Sequence, residues 1–217
     1  MQNSTHTKIV CTIGPAVNTF KGISQLIEAG MNVARINFSH GSHKDHAETI
    51  ERLKKARKLS GKPLSIMLDT KGPEIRVGKF SKEKIEIIQG NTATLVTNDV
   101  SGDENHIPIH PKSIFPYLNE GDTILFDDGY ISSKVIDTKD GVKVEFFNNG
   151  NLKSGKGVNI PEVDVHLPAL TDQDLEDIIF GCKHDLDIIA ASFIRSSEHV
   201  MTIKRLLKAH GGNSTLI

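Results

Sequence analysis

MLDTKGPEIRVG, residues 67–78, begins as a buried strand and ends in charges, a hydroxyl and backbone-shaping residues. Ser65, Ile66, Met67 and Leu68 form the short apolar run expected of a strand in a parallel sheet covered on both faces. Asp69, Thr70, Lys71, Gly72, Pro73, Glu74 and Arg76 follow without a spacer. The chain differs in kind on the two sides of this stretch.

Upstream, strands and helices alternate. KIVCTIGP (8–15) reads as a strand closed by Gly-Pro, and residues 19–29 place Ile23, Leu26 and Ile27 on one helical face before Gly30. MNVARINFS (31–39) is a second strand. Ser42 with Asp45 forms a helix-start box, followed by Ala47, Ile50, Leu53 and Ala56 at helical spacing and Gly61 past the end. PLSIMLD (63–69) is the third strand, and this order predicts right-handed βαβ units with a parallel sheet.

Downstream the runs turn short and β-rich: KIEIIQG, TATLV, TILFDDG, ISSKVID and KVEFFNNG. Asp128-Gly129, Asp140-Gly141 and Asn149-Gly150 are hairpin-type punctuation between them. Residues 73–167 are therefore expected to form an all-β module inserted into an α/β frame of residues 1–72 and 168–217. Alternation resumes at Thr171, which with Asp174 opens a helix carrying Leu175, Ile178, Ile179 and Cys182. LDIIAASFI (186–194) is the fourth strand, Ser196 caps a helix with Val200, Ile203, Leu206 and Leu207, and STLI (214–217) starts a fifth. Five such strands fall short of a (β/α)8 barrel, which takes about 250 residues, so the expected class is α/β, a partial (β/α)8 barrel with an inserted β-barrel. An unpaired terminal strand would be a sticky edge, and the chain reads as the first part of a longer protein.

Composition is that of an ordinary globular chain: 217 residues, 37% hydrophobic and 24% charged. No apolar run approaches a membrane span, and the polar start MQNSTHTK lacks a signal-peptide core. Cys11 and Cys182 have no metal-like spacing and suit a reducing, cytoplasmic setting. Residues 73–167 carry 10 Lys+Arg against 15 Asp+Glu, whereas the remainder carries 16 against 12, an excess that suits an anionic ligand. Two Tyr and no Trp leave little platform for stacking nucleic acid bases.

Parallel sheets do their chemistry at the C-terminal ends of strands. There Arg35, Asn37 and Ser39 lie two apart and share a side, with Ala34, Ile36 and Phe38 opposite. An Arg on the inner side needs an anion or a carboxylate, and a structural ion pair is the plainer of the two explanations. Asp69 and Thr70 end the third strand at the same height, and Ser192 ends the fourth. An Asp carboxylate, a Thr carbonyl, an Asn amide oxygen and a Ser hydroxyl make an all-oxygen set suited to a hard cation such as potassium or magnesium. His40, His43 and His46, at a spacing of three, read as solvent-facing histidines. Lys54, Lys55, Arg57 and Lys58 read as a solvated helix face, and Asp127-Asp128-Gly129 first as a β-turn.

RINFSHG, LDTKGPEIR and ASFIR, preceded by KIVCTIGP and separated by a β-module, together resemble the pyruvate kinase family from about residue 8 to 217. GKGVNIP (155–161) resembles the basic segment by which that family returns from its mobile lid domain. The resemblance makes Gly72-Pro73 and His166-Leu167-Pro168 the hinges of the insert. It implies that Arg35 contacts the substrate phosphate, with Ser192 at the substrate, and that Asn37, Ser39, Asp69 and Thr70 ligate potassium. It assigns Arg76 to the migrating phosphoryl group and nucleotide, Lys156 and His40 to the nucleotide, and Glu74 to the family's potassium-requiring variety. Phosphoenolpyruvate and ADP/ATP are the implied partners, with magnesium and potassium, in a cytoplasmic homotetramer that binds neither nucleic acid nor membrane. The family's phosphoryl-stabilising Lys and its magnesium carboxylates follow the fifth strand, so these 217 residues alone are expected to be inactive. Another phosphoenolpyruvate-handling barrel enzyme and a silent phosphate-binding half-barrel are the rival readings.

Overall fold

The computed structural model describes residues 6–97, 101–161, 163 and 167–217. In chain order the elements are β1 (Ile9–Thr12), α1 (Phe20–Glu28), β2 (Met31–Asn37), α2 (His43–Ser60) and β3 (Ser65–Asp69). Next come β4 (Ile75–Val77), β5 (Lys84–Ile87), β6 (Thr92–Val96), β7 (His106–His110), a 3-10 turn (Lys112–Tyr117) and β8 (Thr123–Phe126). β9 (Ile131–Asp137), β10 (Val142–Phe146), β11 (Gly150–Lys153) and β12 (Gly157–Asn159) follow. The chain ends with α3 (Asp172–Lys183), β13 (Ile188–Ala190), α4 (Ser197–Ala209) and β14 (Thr215–Leu216). Two compact units result: residues up to Pro73 with Pro168–Ile217, and Glu74–Leu167.

The first unit, the frame, is a parallel sheet in the order β1-β2-β3-β13-β14 with helices packed on it. Its helices start where the sequence provides acceptors for the free first-turn amides. Ser42 and Asp45 close a reciprocal capping box on α2, Thr171 and Asp174 do so on α3, and Ser196 accepts from His199 N on α4. Gly61, at φ 63°, ends α2 in the left-handed conformation that glycine adopts without a Cβ penalty. Ile23, Ile27, Ile50, Leu53, Ile178 and Ile203 from the helices meet Ala34, Ile36, Ile66, Leu68 and Ile189 from the strands in one apolar core. Because Ala34 and Ile36 face that core, Arg35 and Asn37 must take the other side of β2.

The fourth strand is shorter than the sequence pattern suggests. β13 stops at Ala190, and the chain turns at Phe193, whose φ is 58°. Ser192 thus lies past the strand end, its N–H captured by Thr70 Oγ1 at 3.1 Å instead of a sheet partner. Two surface expectations also fail. His46 is only 7% exposed and stacks on Phe38 with ring centroids 3.9 Å apart, while the half-buried His43 bonds the buried Asp177 at 2.6 Å. His46 lies three and four residues before the buried Thr49 and Ile50, so the helical period puts it on the core face of α2. Arg57 likewise leaves its basic cluster and bridges Leu64 O at 3.0 Å and Asp187 Oδ2 at 2.8 Å.

Within the second unit, seven strands close in the order β10-β6-β7-β4-β12-β8-β9, and β11 pairs with β5 outside that ring. Closure removes the exposed edges that short strands would otherwise present. Alternate residues of these strands fill the core, among them Ile107, Ile109, Ile124, Phe126, Val144 and Phe146, and Ile85 of β5 packs with them. Asp128-Gly129 and Asp140-Gly141 do join paired neighbours, β8 to β9 and β9 to β10. Asn149-Gly150 does not: β11 leaves β10 for β5, with Asn149 Oδ1 accepting Gln89 N at 2.8 Å. His166, expected in the return hinge, lies outside the described residues.

Candidate functional site

In the frame, register decides which side chains meet. Asn37 on β2 is level with Asp69 on β3, which is level with Ala190 on β13. The C-terminal ends of three neighbouring strands therefore present their polar residues in a row. Arg35 Nε donates to Asp69 Oδ2 at 2.7 Å, its Nη2 contacts the same oxygen, and its Nη1 donates to Thr12 Oγ1 on β1 at 2.7 Å. The ion pair anticipated as the plainer explanation is thus present. It is not a closed one, because a guanidinium has five N–H groups and these contacts engage three. Among the described residues nothing engages the other two, on a side chain 30% exposed, and they could take an anion.

Asp69 is shared. Its Oδ1 accepts from Ser192 Oγ at 3.1 Å, and its backbone oxygen takes Phe38 N at 3.0 Å. Ser39 N donates to Asn37 Oδ1 at 3.0 Å, fixing the amide oxygen at the strand end. Thr70 is 2% exposed, with its hydroxyl accepting Ser192 N. Arg35, Asn37, Ser39, Asp69, Thr70 and Ser192 are therefore brought together. His40 makes no hydrogen bond to them among the described residues, but lines a cleft of about 620 Å³ together with Thr12, Asn37, His46 and Arg52. Burial holds the His46 imidazole below its ordinary pKa in that wall.

The oxygen set has the chemistry of a monovalent-cation site: one carboxylate already shared with a guanidinium, and otherwise neutral oxygens. A divalent ion calls for more. Among the described residues no group of three or more His, Cys, Asp or Glu could hold a metal ion.

In the second unit Arg76 and Lys156 come together on paired strands. β12 runs antiparallel to β4 with Gly157 level with Arg76, and Val77 N donates to Lys156 O at 2.8 Å. Arg76 is paired with Glu74 and donates through Nη1 to Gly155 O at 2.6 Å, while its buried Nε finds no partner among the described residues. A buried donor without an acceptor is costly, and an anionic ligand would satisfy it. Lys156 Nζ lies 2.7 Å from Asp127 Oδ1, whose hydrogen bond and charge raise the amine's pKa and keep it cationic. Asp127, at φ 51° in the turn after β8, is held there by its N–H on Gly157 O at 2.9 Å.

Several participants escaped sequence reading. Thr12 carries no motif, and only the pairing of β1 with β2, level at Arg35, reveals it. Asp127 was legible as a turn but not as the partner of Lys156. Gly157 matters through clearance, since a Cβ there would lie 2.9 Å from Glu74 Oε1. Asp174 was legible as a helix cap, yet it also accepts Gly72 N at 2.9 Å.

Comparison with known proteins bears on the whole arrangement. Residues 4–217 match the family described as pyruvate kinase, barrel domain. The pyruvate kinase of Chlamydia pneumoniae is 47% identical over 205 residues, 94% of this chain and 42% of that protein. That of Chlamydia trachomatis serovar L2 is 45% identical over 207 residues, again 94% and 42%. The pyruvate kinase of Sporosarcina psychrophila is 44% identical over 214 residues, 97% of this chain and 36% of its own length. The chain spans about two fifths of the length of the curated relatives it matches.

Proposed function

The chain belongs to the pyruvate kinase family, and we propose that it supplies the substrate-phosphate and nucleotide-contacting groups for phosphoryl transfer from phosphoenolpyruvate to ADP, giving pyruvate and ATP. The observation that carries this reading is the Arg35 fork at the C-terminal end of β2, half spent on Asp69 and Thr12 and half open to an anion.

Phosphoryl transfer makes and breaks bonds at one phosphorus, and the protein contributes positioning and cationic stabilisation. Arg35 binds the phosphate of phosphoenolpyruvate through its remaining N–H groups, while Asp69 and Thr12 hold the guanidinium plane in place. Ser192 orients Asp69 from the turn after β13 and lies at the substrate. By kinship Arg76, and Lys156 kept protonated by Asp127, are assigned to the migrating phosphoryl group and the nucleotide phosphates. His40 and its cleft take the remainder of the nucleotide. Asn37, Ser39, Asp69 and Thr70 would hold potassium, which when bound adds positive charge beside the phosphate. Magnesium, also implied by the family, would when bound add positive charge at the migrating phosphoryl group. No helix among the described residues is long and apolar enough to cross a membrane. A cytoplasmic setting and a homotetramer remain part of the proposal by kinship.

The test is pyruvate formation by the full-length protein from phosphoenolpyruvate and ADP with magnesium and potassium, alongside direct binding of phosphoenolpyruvate. Turnover that requires potassium, and that collapses in Arg35→Lys without loss of folding, is the expected result. Full activity in a large organic cation would remove the potassium assignment, and normal kinetics in Arg35→Lys would return Arg35 to a purely structural pair.

A further inference from the structure

We infer that Asp174 is a positioning residue for the Arg35–Asp69 pair, acting through the backbone of Gly72; the inference rests on the phosphate-binding role proposed above. Asp174 has 0% of its surface exposed and sits in the first turn of α3. Its two oxygens have separate partners. Oδ2 closes the capping box, accepting Thr171 N at 2.8 Å and Thr171 Oγ1 at 2.7 Å. Oδ1 accepts the N–H of Gly72, 102 residues away in sequence, at 2.9 Å. A capping box needs only one carboxylate oxygen, so helix initiation does not account for the second contact.

Gly72 is in turn pressed onto the turn after β13. Its φ is 71°, and a Cβ there would lie 2.8 Å from Phe193 Cδ2 and 2.9 Å from Ser192 O. Phe193 occupies the left-handed region at φ 58°, a conformation that persists in a bulky residue only where its surroundings hold it. Ser192 then fixes the site, giving its hydroxyl to Asp69 Oδ1 and its N–H to Thr70 Oγ1, both at 3.1 Å. Asp69 Oδ2 holds Arg35 Nε. The contacts run unbroken from Asp174 through Gly72, Ser192 and Asp69 to Arg35. Loss of the Asp174 acceptor leaves the Gly72 amide unpaired, releases the turn carrying Ser192, and lets the Arg35 fork reorient.

The test separates capping from positioning in the 15N-labelled full-length protein. Asp174→Ala removes both contacts, and Thr171→Ala weakens the cap while leaving the Gly72 bond. Asp174→Ala is expected to speed exchange of the Gly72 amide, shift the Arg35 Nε–H resonance and weaken phosphoenolpyruvate binding by about tenfold or more. Thr171→Ala is expected to lower the melting temperature yet leave binding within about twofold. If the two variants behave alike, with Arg35 Nε–H unmoved, the inference is overturned and Asp174 is a cap. Should Asp174→Ala fail to fold, Asp174→Asn is combined with Ser192→Ala. Binding losses that do not add support the shared chain, and additive losses overturn it. A wild type that binds no phosphoenolpyruvate would defeat the functional reading, while the Arg35 Nε–H resonance still decides whether Asp174 positions the pair.

Discussion

Each unit holds an arginine against a carboxylate, and the two do so by different means. In the frame, Arg35 and Asp69 stand 34 residues apart and meet because parallel register brings the ends of β2 and β3 level. In the inserted barrel, Arg76 and Glu74 flank Ile75 on one short segment, and the neighbouring strand shapes the pair through Gly155 O and the clearance at Gly157. The frame sheet is open, with β1 and β14 as its outer strands, whereas the barrel has seven strands and no edge. A site at the ends of parallel strands is thus specified by register between segments distant in sequence, with the turn after β13 fixing Ser192 beside it. The pair on the wall of the small antiparallel barrel is specified within one segment, by residues two apart and by the strand beside them.

The largest expected effect tests the first half of that contrast. Arg35→Lys in the full-length protein should lower turnover by about 10²–10³, because a point charge cannot serve Asp69, Thr12 and a phosphate with one fixed fork. Its melting temperature should stay close to wild type, since Asp69 keeps a cation. Equal activity in the two proteins would break the comparison at its strongest point.

Lys156→Ala should come next, with a loss of about 10²-fold in turnover. Asp127→Asn should cost less, since Lys156 keeps its charge and loses only the partner that fixes it. A larger loss in Asp127→Asn than in Lys156→Ala would mean that the carboxylate itself meets the substrate. Glycine replacements grade the clearances directly. Gly72→Ala combines positive φ with contacts below 3.0 Å to Phe193 and Ser192, so about 2–4 kcal/mol of stability should be lost. Gly61→Ala has φ 63° but nothing within 4 Å of the new methyl, so about 1 kcal/mol is expected in urea unfolding. Similar losses at both positions would show that backbone conformation alone, and not close packing, makes Gly72 necessary.

Much of the frame was legible because its two periodicities differ. Runs such as SIML and NVARIN reveal strands, and Ile50, Leu53 and Ala56 reveal a helix. Caps at Ser42, Thr171 and Ser196 fixed the helix starts to within a residue. The inserted module showed its strands and most of its turns, but not the ring order, because pairings such as β6 with β7 are parallel and bypass hairpin logic. Within the site, motif-bearing residues stood out, and those acting by contact did not. Thr12, Gly157 and the second oxygen of Asp174 have meaning only through partners far away in sequence. Ser192 was legible as a residue but misplaced on a strand, since the turn at Phe193 leaves no mark in an apolar run.

The smallest expected effect concerns pH and belongs to the frame. His46 stacks on Phe38, and His184 packs against Phe180 with ring centroids 4.2 Å apart. Burial is the first cause holding both imidazoles below their ordinary value of 6.5, with His43 adding repulsion to each and Lys54 to His184. Asp177 and Asp45 oppose the shift at His46, and Glu51 and Asp185 oppose it at His184. The folded state therefore takes up these protons less readily than the unfolded chain does. Stability from this source is complete above about pH 6.5 and is lost as pH falls through the lower folded-state values. Between pH 7.5 and 5.5 the melting temperature should fall by about a few degrees. Hydrogen exchange resolved by unit should place that loss in α2 and α3, where the two rings pack, before it reaches the inserted barrel. His46→Gln and His184→Gln should each flatten the pH dependence while lowering the plateau, because a neutral amide cannot take up the proton but also cannot stack. A melting temperature that rises on acidification, or a loss that begins in the barrel strands, would show that other groups control the acid limb.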